Sequence, residues 1–253
     1  MISKDKIKQQ INVFESREQL GQKAAKDIEK KIIELLAQKQ EIRIIFAAAP
    51  SQNELLQQLV AAKGIEWNRI IAFHMDEYIG LPAAAPQLFA NFLSEKLFNI
   101  LPFKKIHLIN GNNAQKECER YEKLIQAAPI DIICLGIGEN GHIAFNDPPV
   151  ADFNDPQTIK KVELDQTCRQ QQVNDGCFKS IDAVPKLAYT LTIPTLMNGH
   201  ALFCVVPGKT KKTAVHQTLH FREISTQWPS TILRNHPNCK FYFDTDSYEN
   251  LKS

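Results

Sequence analysis

No apolar stretch in the 253-residue sequence approaches the roughly 18 residues needed to cross a bilayer. The opening segment MISKDKIKQQINVFESREQL lacks the apolar core of a secretory leader, so neither membrane insertion nor export is expected. Cysteine is sparse and scattered. Its six residues, Cys118, Cys134, Cys168, Cys177, Cys204 and Cys239, form no CxxC pair, which argues against a zinc ribbon or a disulfide framework. Cys134 and Cys204 lie inside apolar runs and read as small core side chains. The seven histidines show no HExxH, so no metal centre is expected. A dominant charge is missing too: 30 Lys+Arg against 28 Asp+Glu leave a net +2, with no electrostatic reason to expect nucleic acid or an anionic membrane as partner. Repeats, low-complexity tracts and Gly/Ser linkers are absent, and a reducing cytoplasm is the expected compartment.

What is present is alternation. Helical spacing of apolar residues over 15–39 is followed by IRIIFAAA (42–49), a continuous apolar run suited to a strand buried on both faces. A helix is predicted over 51–63 with Ser51 as its N-cap. Strands follow at 69–75, 104–110 and 130–138, and helices at 86–100 and 114–128. The C-terminal third reads as strands 186–194, 201–208 and 240–244, a helix 209–219 and a helical stretch near 230–236. Strands alternating with helices predict one α/β domain over 1–253, a mostly parallel sheet with helices on both faces. Ligands of such sheets sit at the carboxyl ends of the strands, where strand order reverses.

The unusual residues gather after strands. AAAPSQNE (47–54) is a strand-to-helix turn that could hold an anion on backbone amides near Ser51 and Gln52. In FHMDEYIGLP (73–82), Asp76 and Glu77 are adjacent carboxylates at a strand end, where an apolar surround raises a carboxyl toward a general base's working range. LGIGENGHIAFNDPP (135–149) places Glu139, His142 and Asp147 within nine residues among Gly136, Gly138 and Gly141. Its GxGxxG spacing lacks a helix directly after it, so it does not read as a dinucleotide fingerprint. A histidine beside a carboxylate suits proton transfer near neutral pH. PGKTKKTAV (207–215) sets Lys209, Lys211 and Lys212 at a strand-to-helix junction, a combination that favours phosphate.

FHMDEYIGLP and LGIGENGHIAFNDP together resemble the paired signatures of the glucosamine-6-phosphate deaminase (isomerase) family, within the wider sugar-phosphate isomerase and 6-phosphogluconolactonase superfamily. Weaker likeness lies in VPKLAYTLTIPTLM (184–197) and VVPGKTKKTAV (205–215). The resemblance implies a modified doubly wound, Rossmann-like fold. It implies conversion of glucosamine 6-phosphate and water to fructose 6-phosphate and ammonia without metal or organic cofactor. It also implies roles. Asp76 is the base that moves a proton between C2 and C1, and His142 the imidazole that opens the sugar ring. Asp147, where the family usually has Glu, assists His142. Asn140 stands where many members have an Asp that orients the histidine, and a shifted pH profile is expected from it. Ser51, Gln52, Lys211 and Gly138 and Gly141 would hold the substrate, with Arg169 the candidate for the family's phosphate-binding arginine. A galactosamine 6-phosphate deaminase, a 6-phosphogluconolactonase and a non-catalytic sugar-phosphate sensor remain alternatives. The family resembled includes monomers and hexamers, so a homo-oligomer is one expected state.

Overall fold

The computed structural model describes residues 10–112 and 116–248. The opening residues 1–9 and the predicted helix start at 114–115 lie outside them. Seven parallel strands form the central sheet: β1 (Ile11–Phe14), β2 (Ile42–Phe46), β3 (Ile70–His74), β5 (Lys105–His107), β6 (Ile132–Leu135), β9 (Ala201–Val206) and β10 (Cys239–Asp244). Their order is β1-β10-β9-β6-β2-β3-β5. From β2 the chain steps outward through β3 to β5, then returns to the other side of β2 and proceeds through β6, β9 and β10. The order therefore reverses between β2 and β6, which creates a crevice beyond their carboxyl ends.

Double-sided burial explains the apolar runs. Along β2, Ile42, Ile44 and Phe46 belong to one core and Ile45 to the other, the period-2 alternation of a pleated strand. The first core packs under α1 (Arg17–Leu36), α2 (Asn53–Ala61) and α3 (Phe89–Leu93). The second packs under α4 (Glu117–Gln126) and α7 (Lys212–His220). Ser16 caps α1, accepting the Gln19 N–H. Arg43, the one charged residue of β2, is buried. Its guanidinium donates to the carbonyls of Leu124, Ile125 and Ala128, supplying donors that the end of α4 lacks.

A second, smaller sheet was not expected from the sequence. β4 (Asp76–Tyr78), β8 (Leu187–Leu191) and β7 (Ile159–Glu163) form an antiparallel sheet ordered β4-β8-β7. The predicted strand 186–194 is therefore real but belongs here, and it ends before α6 (Ile193–Met197). α5 (Gln166–Asn174) follows β7. The predicted cap at Ser51 is corrected: Pro50–Gln52 form a 3-10 turn entered from Ala49, and no side chain caps it.

Candidate active site

One open pocket lies over the β2–β6 crevice. The segment after β2 contributes Ser51 and Gln52, the segment after β3 contributes Asp76, and the segment after β6 contributes Gly138 and His142. Lys211, beyond β9, completes the wall. Four loops far apart in sequence thus converge because their strands are neighbours in the sheet.

Asp76 is 7% exposed. It sits where the chain leaves β3 and joins the small sheet, opposite Thr190 in the β4–β8 ladder. Burial, and then the charge of Glu77, push its carboxyl well above the usual range. Its neighbour points the other way, as strand alternation requires. Glu77 accepts the N–H groups of Tyr78 (2.9 Å), Phe89 (3.0 Å) and Ala90 (2.8 Å), so it caps α3, and burial still lifts it to about 7. The two adjacent acids have separate tasks: one faces the pocket, the other fixes a helix whose Phe89 forms pocket wall.

The loop after β6 is shaped around His142. A Cβ at Gly138 would fall 2.1 Å from the imidazole, so only glycine lets the ring lie against this backbone. Gly141 has φ +80°, and a Cβ there would meet the Trp228 ring at 2.8 Å. Ala144, on the pocket wall, holds φ +50°, a conformation unfavourable for a residue with a side chain. Surrounding bonds hold it. Asn146 donates to the Ile143 and Leu191 carbonyls at 3.0 and 2.8 Å, and Thr190 Oγ1 accepts from the Phe145 N–H at 3.0 Å and from Asn146 Nδ2 at 3.3 Å. Thr190 is fully buried and was not singled out in the sequence.

His142 Nδ1 lies 2.8 Å from Asp147 Oδ1, at an ion-pair distance but without a well-aligned hydrogen bond. Burial alone would raise Asp147, but His142 and its hydrogen-bond donors bring it below its ordinary value. The shorter acid therefore reaches the histidine. Asn140 does not bond the ring: its Oδ1 accepts the His142 backbone N–H at 3.1 Å, and its Nδ2 donates to Asp147 Oδ1 at 3.0 Å and Asp165 Oδ2 at 3.4 Å. Cys168 on α5 lies against Asp147; burial and that carboxylate push its thiol up. Sequence spacing gave no metal-like cluster, yet the fold brings ligand atoms of His142, Asp147 and Cys168 within 4.8 Å of one another.

Elsewhere on the wall, Lys211 is 4% exposed, and its ammonium has no ion pair or hydrogen bond among the described residues. Burial lowers its ammonium. Lys209 is exposed and Lys212 half-buried. Gln52 donates to the Val205 carbonyl at 3.1 Å and to Ser51 Oγ at 3.2 Å, while its buried Oε1 has no partner. Two predicted binders fall elsewhere. Arg169 donates to the carbonyls of Ile181 and Val184 at 2.6 and 3.0 Å and is not on the pocket wall; its place there is taken by Gln171 and Gln172 of the same helix. Gly141 supports the loop from behind rather than lining the pocket. The glutamines escaped the sequence reading because α5 has no apolar periodicity to mark it.

A family model described as glucosamine-6-phosphate isomerases/6-phosphogluconolactonase matches residues 15–241. A glucosamine-6-phosphate deaminase of Bacillus cereus (strain B4264) is 34% identical over 94% of this chain and 87% of its own length. One of Bacillus thuringiensis (strain Al Hakam) is 33% identical over the same shares. Among solved structures, a monomeric glucosamine-6-phosphate deaminase superposes with TM-score 0.85 at 28% identity, covering 94% of this chain and 98% of that one. A 6-phosphogluconolactonase from Thermotoga maritima gives 0.75 at 21% identity, covering 93% and 99%, a likeness of fold.

Two outcomes follow from this geometry. Thr190→Val keeps the shape and removes the acceptor, leaving the buried Phe145 N–H unpaired. Stability should fall by about 1–3 kcal/mol in denaturant titration, and turnover should drop as the His142 loop loses its register. Glu77→Gln isolates one acid. Glu77 rises from 4.5 to about 7 on folding, so between those values the folded chain binds more protons than the unfolded one, and stability falls as pH rises through that window. His74 works oppositely: burial lowers it from 6.5 to about 3, so its contribution grows as pH rises from 3 to 6.5. Subtracting the two proteins' stability curves cancels His74. The variant should gain on the wild type from about pH 4.5 to 7, and parallel curves would contradict this.

Proposed function

The chain belongs to the glucosamine-6-phosphate isomerase/6-phosphogluconolactonase family, and we propose that it converts glucosamine 6-phosphate and water to fructose 6-phosphate and ammonia. One observation carries this reading: a carboxyl with strongly raised basicity, Asp76, and an imidazole backed by a carboxylate, His142 with Asp147, meet at a single pocket whose wall also holds the ammonium of Lys211, unpaired among the described residues.

The arrangement suits the chemistry. The phosphate is the group Lys211 can neutralise, with the Ser51 hydroxyl beside it. Anchoring one end of the sugar presents the other to the acid and base, and such positioning contributes up to about 7–11 kcal/mol. His142 moves the proton at the ring oxygen as the ring opens, with Asp147 stabilising the imidazolium. Asp76 takes the proton from C2 and returns it to C1. That isomerisation converts the amine-bearing carbon into one that water attacks and ammonium leaves. A buried carboxylate with raised affinity for protons is a stronger base for a carbon acid than one in water. Asn140 acts as a positioning residue by holding both the His142 backbone and the Asp147 carboxylate. Every step is proton transfer or addition of water, so it needs no cofactor. The substrate partner is a hexosamine phosphate, and a reducing cytoplasm suits the unpaired cysteines.

Incubation with glucosamine 6-phosphate should release ammonia and fructose 6-phosphate in equal amounts. Asp76→Asn should lower kcat by about 10²- to 10⁴-fold with the fold intact by circular dichroism. Absence of turnover, or equal rates for wild type and variant, would refute the assignment. Parallel assays with galactosamine 6-phosphate and 6-phosphogluconolactone measure specificity, and faster lactone hydrolysis would reverse it.

A further inference from the structure

The His142–Asp147–Cys168 cluster has more donor capacity than an acid–base pair uses. Its three side chains come from two elements, the loop after β6 and helix α5, and all three are buried. Their chemistry is an imidazole, a carboxylate and a thiol, the three side-chain ligand types of zinc. The ligand atoms all lie within 4.8 Å of one another. A tetrahedral zinc with bonds of about 2.0–2.3 Å sets its ligands roughly 3.3–3.7 Å apart, so small side-chain shifts suffice.

A second observation points the same way. His142 Nδ1 is buried without a well-aligned hydrogen bond among the described residues, yet it lies 2.8 Å from Asp147 Oδ1, so a metal that displaces the Nδ1 proton finds the nitrogen and the carboxylate already together. The outer shell is also in place: Asn140 Nδ2 holds Asp147 Oδ1 at 3.0 Å and the Asp165 N–H holds Oδ2 at 3.2 Å, the kind of support that fixes metal-binding carboxylates. His142 lines the open pocket, which gives an ion its way in.

We propose that His142 Nδ1, Asp147 and Cys168 Sγ form a three-ligand site for a thiophilic divalent cation, zinc, that switches the pocket off. The thiol proton leaves to solvent as the Sγ–metal bond forms, no electrons move, and water completes the fourth position. The metal takes the Nδ1 lone pair and captures Asp147, the Nδ1 proton moves to Nε2, and the ring can no longer take up a proton. Binding of the ion stands independently of the reaction assigned above. Only its inhibitory consequence rests on that reading.

The test uses the full chain, stripped of metal with EDTA and exchanged into chelator-free buffer. Cobalt(II), a spectroscopic stand-in for zinc, should give a thiolate-to-cobalt charge-transfer band in the near ultraviolet together with visible bands of tetrahedral intensity. Zinc should bleach both. Cys168→Ser should lose the near-ultraviolet band, and its zinc affinity, read by competition with a chromophoric chelator, should fall by at least about ten-fold, since even outer-shell losses cost about 10–100-fold. Cys168→Ala, checked by circular dichroism, guards against a folding defect of the serine variant. In turnover assays, zinc should inhibit the wild type at concentrations at least ten-fold below those that inhibit Cys168→Ser. A wild type with no thiolate band overturns the proposal, as does a band that survives in both Cys168 variants, because the ion then sits on another cysteine. If no sugar phosphate is turned over, the cobalt and chelator titrations still decide the metal site alone.

Discussion

Strand β8 is the member on which the rest of the site depends. Thr190 faces Asp76 across the β4–β8 ladder and accepts hydrogen bonds from the loop that carries His142. Asp76 follows β3 and His142 follows β6, two strands separated in the sheet by β2. Neither loop could set the spacing between Asp76 and the imidazole alone. The small antiparallel sheet closes over the carboxyl ends of the parallel one and ties both to one buried residue. Positioning is worth most when the reacting groups are held within a fraction of an ångström, and a strand ladder with a buried hydroxyl is stiffer than two free loops. The strain at Ala144 is tolerated for the same reason: Asn146 and Thr190 hold the backbone on either side of it.

The elements legible in the sequence were those whose signal is local. β2, β6 and β9 are buried on both faces and read as unbroken apolar runs. The pocket loops were legible because glycines, a histidine and acids collect directly after strands, and through the resemblance of FHMDEYIGLP and LGIGENGHIAFNDP. The small sheet was hidden for a physical reason. β4 is the tripeptide Asp76–Tyr78, two of its three residues acidic, and its partner lies more than a hundred residues away. β7 carries Lys160, Lys161 and Glu163, as an edge strand does. α5 is polar almost throughout, since one face meets the pocket and solvent rather than core. Arg169 illustrates the limit: a cation in the expected segment proves to be holding backbone carbonyls, and two glutamines from the same helix line the wall.

Burial organises the electrostatics of the pocket. Asp76 and Glu77 are adjacent, both shielded from water, and each would be costly to ionise alone. Glu77 is compensated by three backbone N–H groups. Asp76 has no such donors among the described residues, and burial with the charge of Glu77 holds it well above its usual range. Lys211 supplies the opposite imbalance: it is buried with no ion pair among the described residues, though Asp175 and Glu139 attract its charge. An anion entering the pocket relieves the ammonium. A substrate that brings a phosphate at one end and a protonated amine near the other complements both uncompensated groups at once, which a neutral sugar would not.

Asp147 and Asn140 in the histidine loop work as one unit. Asp147 Oδ1 lies 2.8 Å from His142 Nδ1. It does so while one oxygen also takes the Asn140 amide and the other takes the Asp165 N–H. Those bonds draw it into a knot with a second carboxylate, Asp165, which caps α5. An aspartate at position 140 would set a third negative charge among them with no proton to share, and like charges at such separations repel strongly where water is excluded. An amide donates instead, to both carboxylates, and still accepts the His142 backbone N–H. The neutral amide thus joins two carboxylates and the histidine loop without adding charge, and Asp165 caps the helix that also brings Cys168 to the same cluster.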